Sequence, residues 1–215
     1  MICVERYESG FFVVNSYIVF CDETKEGMVI DPVNPQRLIR RVREEELRIR
    51  YIVNTHTHPD HVGGNERLKK GTGAEIIAHR NALVEKKRLI MKIGSGLGLL
   101  FRVISPDRFV EDGEEIRIGS LSFQTLHTPG HTMDGICMYG EGCVFTGDTL
   151  FADSVGRTDF SGGSSKSLLK SIREKLLVLP DETVVYPGHG AETMIGRERR
   201  VNPFCVETLK NRINY

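Results

Sequence analysis

The sequence predicts a layered α+β fold with α/β alternation, and three observations carry that prediction. Apolar residues follow a strand pattern in some stretches and a helical period in others, and the two kinds alternate. The alternation runs in two rounds, strands followed by helices each time. Glycine- and proline-containing turns close several of the strand-like runs, and a histidine or aspartate follows them.

Taken in order, Phe11 to Phe20 is rich in Val, Ile, Phe and Tyr and reads as a strand, and Gly27 to Asp31 as a second, ending at Pro32. Pro35 to Leu47 has a helical period, with Leu38 and Val42 on one face and charges on the other. Tyr51 to Asn54 is a short β-branched strand, Gly63 to Lys70 a short helix, and Ile76 to Ala78 a further strand. Asn81 to Ile93 reads as a helix. The glycine-rich apolar stretch Gly94 to Phe101 reads as a loop packed on the core, or as a wall facing substrate. Strand character returns at Arg108, and Asp112-Gly113 is a hairpin signal. Leu121 to Leu126, Gly135 to Tyr139 and Cys143 to Thr146 continue the second round. Ser164 is placed to cap a helix whose apolar face is Leu168, Leu169, Ile172, Leu176 and Leu179. Thr183 to Tyr186 is a last strand, and one short helix is expected from Arg200 onward.

The 215 residues suit one domain spanning 1–215, and a hydrophobic content of 40% is enough to fill its core. Lys+Arg and Asp+Glu balance at 29 each, so no basic stripe marks a nucleic-acid partner. Five scattered cysteines without a C-x-x-C point to reduced thiols rather than disulfides or a thiolate metal site. No signal-peptide core and no apolar run of membrane length is evident, so a cytoplasmic protein without a membrane partner is expected.

The chemistry concentrates in Thr55-His56-Thr57-His58-Pro59-Asp60-His61. His56 and His58 are two residues apart, so in an extended segment their imidazoles face the same way. On a helix they would diverge by about 200°. Placed just after a strand, they can converge on one ion. Pro59 then turns the chain so that Asp60 and His61 can face a second position. Imidazole and carboxylate are donors for zinc, iron or manganese. Pro129-Gly130-His131, Thr146-Gly147-Asp148 and Pro187-Gly188-His189-Gly190 each follow a predicted strand, and their small residues let His131, Asp148 and His189 enter a crowded site. His79 and His127 lack such a setting and are expected to be structural.

These motifs, in this order, resemble the metallo-β-lactamase superfamily. With Gly156-Arg157-Thr158-Asp159-Phe160 and Glu198-Arg199-Arg200-Val201-Asn202-Pro203-Phe204, they look like its glyoxalase II (hydroxyacylglutathione hydrolase) branch, in its short bacterial and archaeal form. The resemblance implies a four-layer αββα metallo-β-lactamase sandwich with a binuclear site on one edge and no separate C-terminal helical domain. It implies two divalent metal ions, zinc first and iron or manganese as alternatives. The first would take His56, His58 and His131, the second Asp60, His61 and His189, and Asp148 would bridge them. Asp31 resembles a residue that orients a ligand histidine, and reads equally as a turn residue before Pro32.

The implied reaction is hydrolysis of a small-molecule thioester of the S-lactoylglutathione type by a metal-held hydroxide, with Asp60 orienting it or shuttling its proton. Arg157, Arg199 and Asn202 are the candidate substrate contacts, with solvated charges and structural ion pairs as the competing reading for the arginines. One alternative is a persulfide dioxygenase holding a single iron with His56, His131 and Asp148. Another is a non-catalytic metal-binding module, which would be expected to have lost a ligand.

Overall fold

The computed structural model describes residues 1–85 and 106–210. The predicted stretch Gly94 to Phe101, and all of the predicted Asn81 to Ile93 helix beyond residue 85, lie outside the described residues. Two six-stranded sheets lie at the centre. The first runs in sequence order: β1 (Ile2–Ser9), β2 (Val14–Cys21), β3 (Glu26–Ile30), β4 (Arg48–Val53), β5 (Glu75–His79) and β6 (Arg108–Val110). The second contains β7 (Glu115–Ile118), β8 (Leu121–His127), β9 (Ile136–Gly140), β10 (Cys143–Gly147), β13 (Val184–Pro187) and β14 (Thr193–Met194), ordered β14-β13-β10-β9-β8-β7. A small separate hairpin pairs β11 (Leu150–Phe151) with β12 (Ser154–Val155).

Alternation along the strands explains the layers. On β2, Tyr17, Val19 and Cys21 point into the space between the sheets, where they meet Ile116, Ile118, Phe123, Met138 and Phe145. Ile18 and Phe20 point the other way, onto α1 (Pro35–Glu44) and α3 (Asn65–Thr72) through Leu38, Val42 and Leu68. Both faces of β2 are therefore covered, and each of its residues is buried. The second sheet is covered likewise by α4 (Ser165–Ser171), its π-helical continuation Ile172–Leu176, and α5 (Ile195–Val201). Leu168, Ile172, Leu176 and Ile195 seat on Leu126, Val144 and Val185. Burying each such leucine contributes about 2 kcal/mol. The result is helix, sheet, sheet, helix: the expected four-layer αββα sandwich. Among the described residues no helix is long and apolar enough to cross a membrane.

Several expected boundaries shift for identifiable reasons. Phe11 to Val13 is a turn rather than strand, because Gly10 and Val13 both take positive φ (79° and 52°). The predicted Pro35 to Leu47 helix stops at Glu44, and Arg48 to Tyr51 already belongs to β4. Asp112-Gly113 does form a turn, but it carries the chain from β6 in one sheet to β7 in the other. The tight hairpins are instead at Gly119-Ser120, between β7 and β8, and at Glu141-Gly142, between β9 and β10. Helical structure near Arg200 comes as two helices, because Pro203 restricts Asn202 and starts α6 (Pro203–Lys210).

Strand directions place the site. β3, β4 and β5 are mutually parallel, and β10 is parallel to β13. β8 and β10 both pair antiparallel with β9, so they run the same way. The carboxyl ends of β3, β4, β8, β10 and β13 thus deliver Asp31, His56 to His61, His131, Asp148 and His189 to one edge of the sandwich.

Candidate metal centre

The segment after β4 leaves the sheet at Asn54, bends at Thr55 and His56, and is extended again at His58, the residue before α2 (Pro59–Val62). Pro59 fits the first turn, where no backbone donor is needed, and the helix brings Asp60 and His61 together with His189 rather than with His58. The crowding is severe. A Cβ added at Gly188 would stand 2.4 Å from Asp148 Oδ1 and 3.0 Å from His61 Cε1, so only glycine lets β13 end against the site. Gly147, with φ of 49°, serves the same purpose beneath Asp148, where a Cβ would strike Thr55.

Two open trios of donor atoms result, besides a wholly buried group of Asp31, His56 and His61. His56, His58 and His131 bring one ligand atom each within 4.8 Å of one another, and so do Asp60, His61 and His189. His58 Nδ1 is 3.0 Å from both His56 Nε2 and His131 Nε2. Two nitrogens on a tetrahedral zinc, each about 2.05 Å away, stand about 3.3 Å apart, so this spacing suits one ion. Asp148 lies between the trios. Its Oδ2 is 3.5 Å from His131 Nε2, while its Oδ1 is 3.5 Å from His61 Nε2 and 3.6 Å from His189 Nε2. His61 Nε2 and Asp148 Oδ1 are buried without a hydrogen-bond partner. Such groups cost about 1–3 kcal/mol each when left unsatisfied, and a cation between them answers both.

Neighbouring acceptors fix which imidazole nitrogen faces the site. Asp31 Oδ2 accepts from His61 Nδ1 at 2.8 Å and from the Thr55 hydroxyl at 2.6 Å, and Oδ1 accepts from the Thr55 amide at 2.8 Å. Since the Thr55 proton goes to Asp31, its oxygen is left to accept from His56 Nδ1, 3.1 Å away. His131 Nδ1 donates to the Arg157 carbonyl at 2.8 Å, and His189 Nδ1 to the Phe12 and Val13 carbonyls at 3.0 and 3.2 Å. The outer nitrogens of these four histidines carry the protons, so Nε2 presents a lone pair inward. Asp31 is therefore both of the things its sequence position suggested. It is a turn residue with φ of 47°, and it orients His61.

Electrostatics follow the burial. Burial, reinforced by the neighbouring imidazoles, holds His56 well below the usual histidine range and His58 at about 4. Burial also works against charge on His61, but Asp31 and Asp148 outweigh it and raise its pKa to about 9. Burial likewise opposes ionisation of Asp148, yet His61 and the other histidines bring it down to about 2. The centre thus sets neutral His56 and His58 beside an anionic Asp148 and a His61 whose carboxylate neighbours favour positive charge, surroundings suited to a divalent cation.

A cavity of about 530 Å³ opens over both trios. Phe160 stands edge-on to His58 and His131, at 5.3 and 5.5 Å, and Phe151 stands 6.1 Å from His189. Phe12, Val155 and Arg157 complete its wall. Arg157 lies over the Phe160 ring and holds Asp159 through two 2.7 Å bonds. Arg199 and Asn202 are placed otherwise than expected. Arg199 donates to the carbonyls of Leu177 and Leu179 and pairs with Asp181, closing the end of the α4 helical run. Asn202 is fully buried and donates to Ser154 O at 3.0 Å and Glu198 Oε2 at 2.9 Å, bracing the β11–β12 hairpin from behind. Neither is among the described residues lining the cavity. His79 and His127 stack on each other, centroids 3.8 Å apart, and belong to neither trio. Sequence reasoning missed Phe12 and Phe151, which resemble ordinary strand residues. It missed Asp134 as well, whose buried carboxylate accepts from Thr57 Oγ1 at 2.7 Å, between the first two histidines.

Comparison with known proteins agrees with this geometry. The profile described as the metallo-beta-lactamase superfamily matches residues 9–189. Hydroxyacylglutathione hydrolase GloC of Haemophilus influenzae is 37% identical over 202 residues, covering 90% of this chain and 93% of its own. The structure of ETHE1 from Myxococcus xanthus superposes with a TM-score of 0.79 at 31% identity, over 98% of this chain and 91% of that one. TTHA1623, solved in a di-iron-bound form, superposes with a TM-score of 0.79 at 33% identity, over 94% of this chain and all (100%) of that one. With its four-layer sandwich and paired donor trios, this chain belongs to the metallo-beta-lactamase superfamily.

Proposed function

We propose that this protein is a binuclear, metal-dependent thioester hydrolase acting on small glutathione-type thioesters such as S-lactoylglutathione. The observation that carries the binuclear reading is Asp148, whose two oxygens each face a different trio. The step to glutathione thioesters is supported by the likeness to hydroxyacylglutathione hydrolase GloC over nearly the whole of both chains.

His56, His58 and His131 would hold one ion, Asp60, His61 and His189 the other, and Asp148 would be shared. Zinc is the metal we infer from the nitrogen and oxygen donors, and iron or manganese accept the same set. Bound there, a pair of divalent ions lowers the pKa of water towards neutrality and polarises a carbonyl oxygen. The chain's own residues do the rest. Asp60 lines the cavity with its carboxylate half-exposed, placed to orient the attacking water and take its proton. Phe12, Phe151 and Phe160 exclude bulk water from the centre and give the acyl group an apolar wall. Arg157, exposed at the rim and paired with Asp159, would meet a substrate carboxylate in exchange for that partner.

The test is metal quantification on purified protein, with S-lactoylglutathione turnover measured before and after chelation and in Asp148→Ala. The proposal expects two ions per chain, chelator-sensitive turnover, and a loss of more than about 100-fold in the variant, beyond that of orienting groups alone. Undiminished turnover in Asp148→Ala would refute it. One iron per chain with oxygen uptake on glutathione persulfide would replace it with the dioxygenase reading.

A further inference from the structure

The four tethered histidines are not held alike. His56 and His61 depend on Asp31 and Thr55, both deep in the core at 1% and 2% exposure. His189 instead donates to the carbonyls of Phe12 and Val13, at the tip of the β1–β2 hairpin. Phe11, Phe12 and Val13 are 94%, 64% and 52% exposed, and Val13 adopts a φ of 52° that a β-branched residue rarely takes. A further backbone bond, from Val13 N–H to Gly10 O, closes that tip at 3.3 Å.

The rest of the His189 loop is also fastened to β2. The Asn15 amide donates to Gly188 O at 2.7 Å. Its side-chain Nδ2 donates to Pro187 O and to Gly190 O, both at 2.9 Å, so it straddles His189. The Tyr17 hydroxyl donates to Pro187 O at 2.7 Å. Asn15 is 1% exposed and its hydrogen bonds go to backbone carbonyls on either side of His189, so they act on the site through the loop.

We infer that Asn15, Tyr17 and the Phe12–Val13 carbonyls form a latch that positions His189, and that this latch makes the Asp60–His61–His189 position the labile one of the two metal sites. The inference rests on the binuclear reading above and adds an order of release to it. No histidine of the first trio is fastened to the hairpin: His56 is held through Thr55 and His131 by the Arg157 carbonyl, so its ion does not depend on the latch. The second keeps its ion only while the hairpin holds His189. Phe12 both lines the cavity and supplies a latch carbonyl, so the latch lies within reach of a bound acyl group.

The test is a chelator titration of zinc-loaded protein, read as zinc retained per chain. Wild type should lose its zinc in two separate steps. In Asn15→Ala the easier step should move to 10–100-fold lower chelator strength, the range for losing a group that orients a ligand, with the harder step unchanged. Asn15→Asp, which keeps the volume but removes the donors, should match it. Tyr17→Phe, which keeps the ring in the core, should move the same step by a smaller factor. Thermal melts of the one-zinc forms check that each variant is folded. If Asn15→Ala fails to fold, the decision falls to Tyr17→Phe. Both steps moving together, or neither moving in a folded variant, would overturn the latch while leaving two sites intact. A wild type that takes up only one ion would refute the binuclear reading, and the latch with it.

Discussion

Asp31→Asn tests how the centre presents its lone pairs. The substitution conserves volume and keeps an oxygen for the Thr55 amide. It replaces the acceptor facing His61 Nδ1 and the Thr55 hydroxyl with an NH₂ donor. His61 must then lose its charge-assisted bond, worth about 1.5–3 kcal/mol, or move its proton to Nε2, the nitrogen that faces Asp148. The Thr55 hydroxyl, no longer able to donate to Asp31, loses its reason to accept from His56 Nδ1. Both trios are therefore affected. A 10–100-fold loss of affinity in each corresponds to about 1.4–2.8 kcal/mol per ion, in line with the lost bond. Competition with a chromogenic chelator measures both affinities, and a thermal melt checks the fold. Wild-type affinity at both sites in a folded Asp31→Asn protein would refute the tautomer argument. Weakening at one site alone would break the link through Thr55.

Three other substitutions test the same structure. Burial raises Asp134 from 3.8 to about 6, against the hydrogen bond from Thr57. The folded chain therefore holds a proton that the unfolded chain has already released between about pH 4 and 6, so this group's contribution to stability falls across that window and is flat above it. The difference amounts to roughly 2–3 kcal/mol. Asp134→Asn should gain that much relative to wild type between pH 4 and pH 7 in urea unfolding, and a pH-independent gap would contradict it. Arg199→Ala should lower stability by about 1–3 kcal/mol, because it strips donors from the Leu177 and Leu179 carbonyls, and leave KM unchanged. Arg157→Ala should do the reverse, raising KM several-fold with no change in melting temperature, since its guanidinium is exposed at the cavity rim. Exchanged phenotypes would show that the two arginines are assigned to the wrong roles.

The layered fold was legible because strand and helix periods differ, and because residues such as Tyr17 and Ile18 alternate between two buried faces. The donor residues were legible for a different reason. Four of them crowd into His56 to His61, and the other three, His131, Asp148 and His189, each directly follow a glycine beyond a predicted strand, a pattern that packing alone does not produce. The cavity wall was not legible, since Phe12 and Phe151 have the composition of strand interiors and only the turn at Gly10–Val13 and the β11–β12 hairpin bring them to the rim. Arg199 and Asn202 misled because sequence gives the charge or amide but not its partner. The carbonyls that occupy them are more than 20 residues away for Leu177 and more than 40 for Ser154. Asn15 carried no signal at all, because its importance lies in straddling a loop more than 170 residues distant.

The most direct measurement is thioester turnover during stepwise addition of zinc to metal-free protein, with bound zinc counted at each step. The binuclear account predicts little S-lactoylglutathione hydrolysis through the first equivalent and a rise to full rate across the second. Full activity reached at one equivalent, with no change on adding the second, would contradict it.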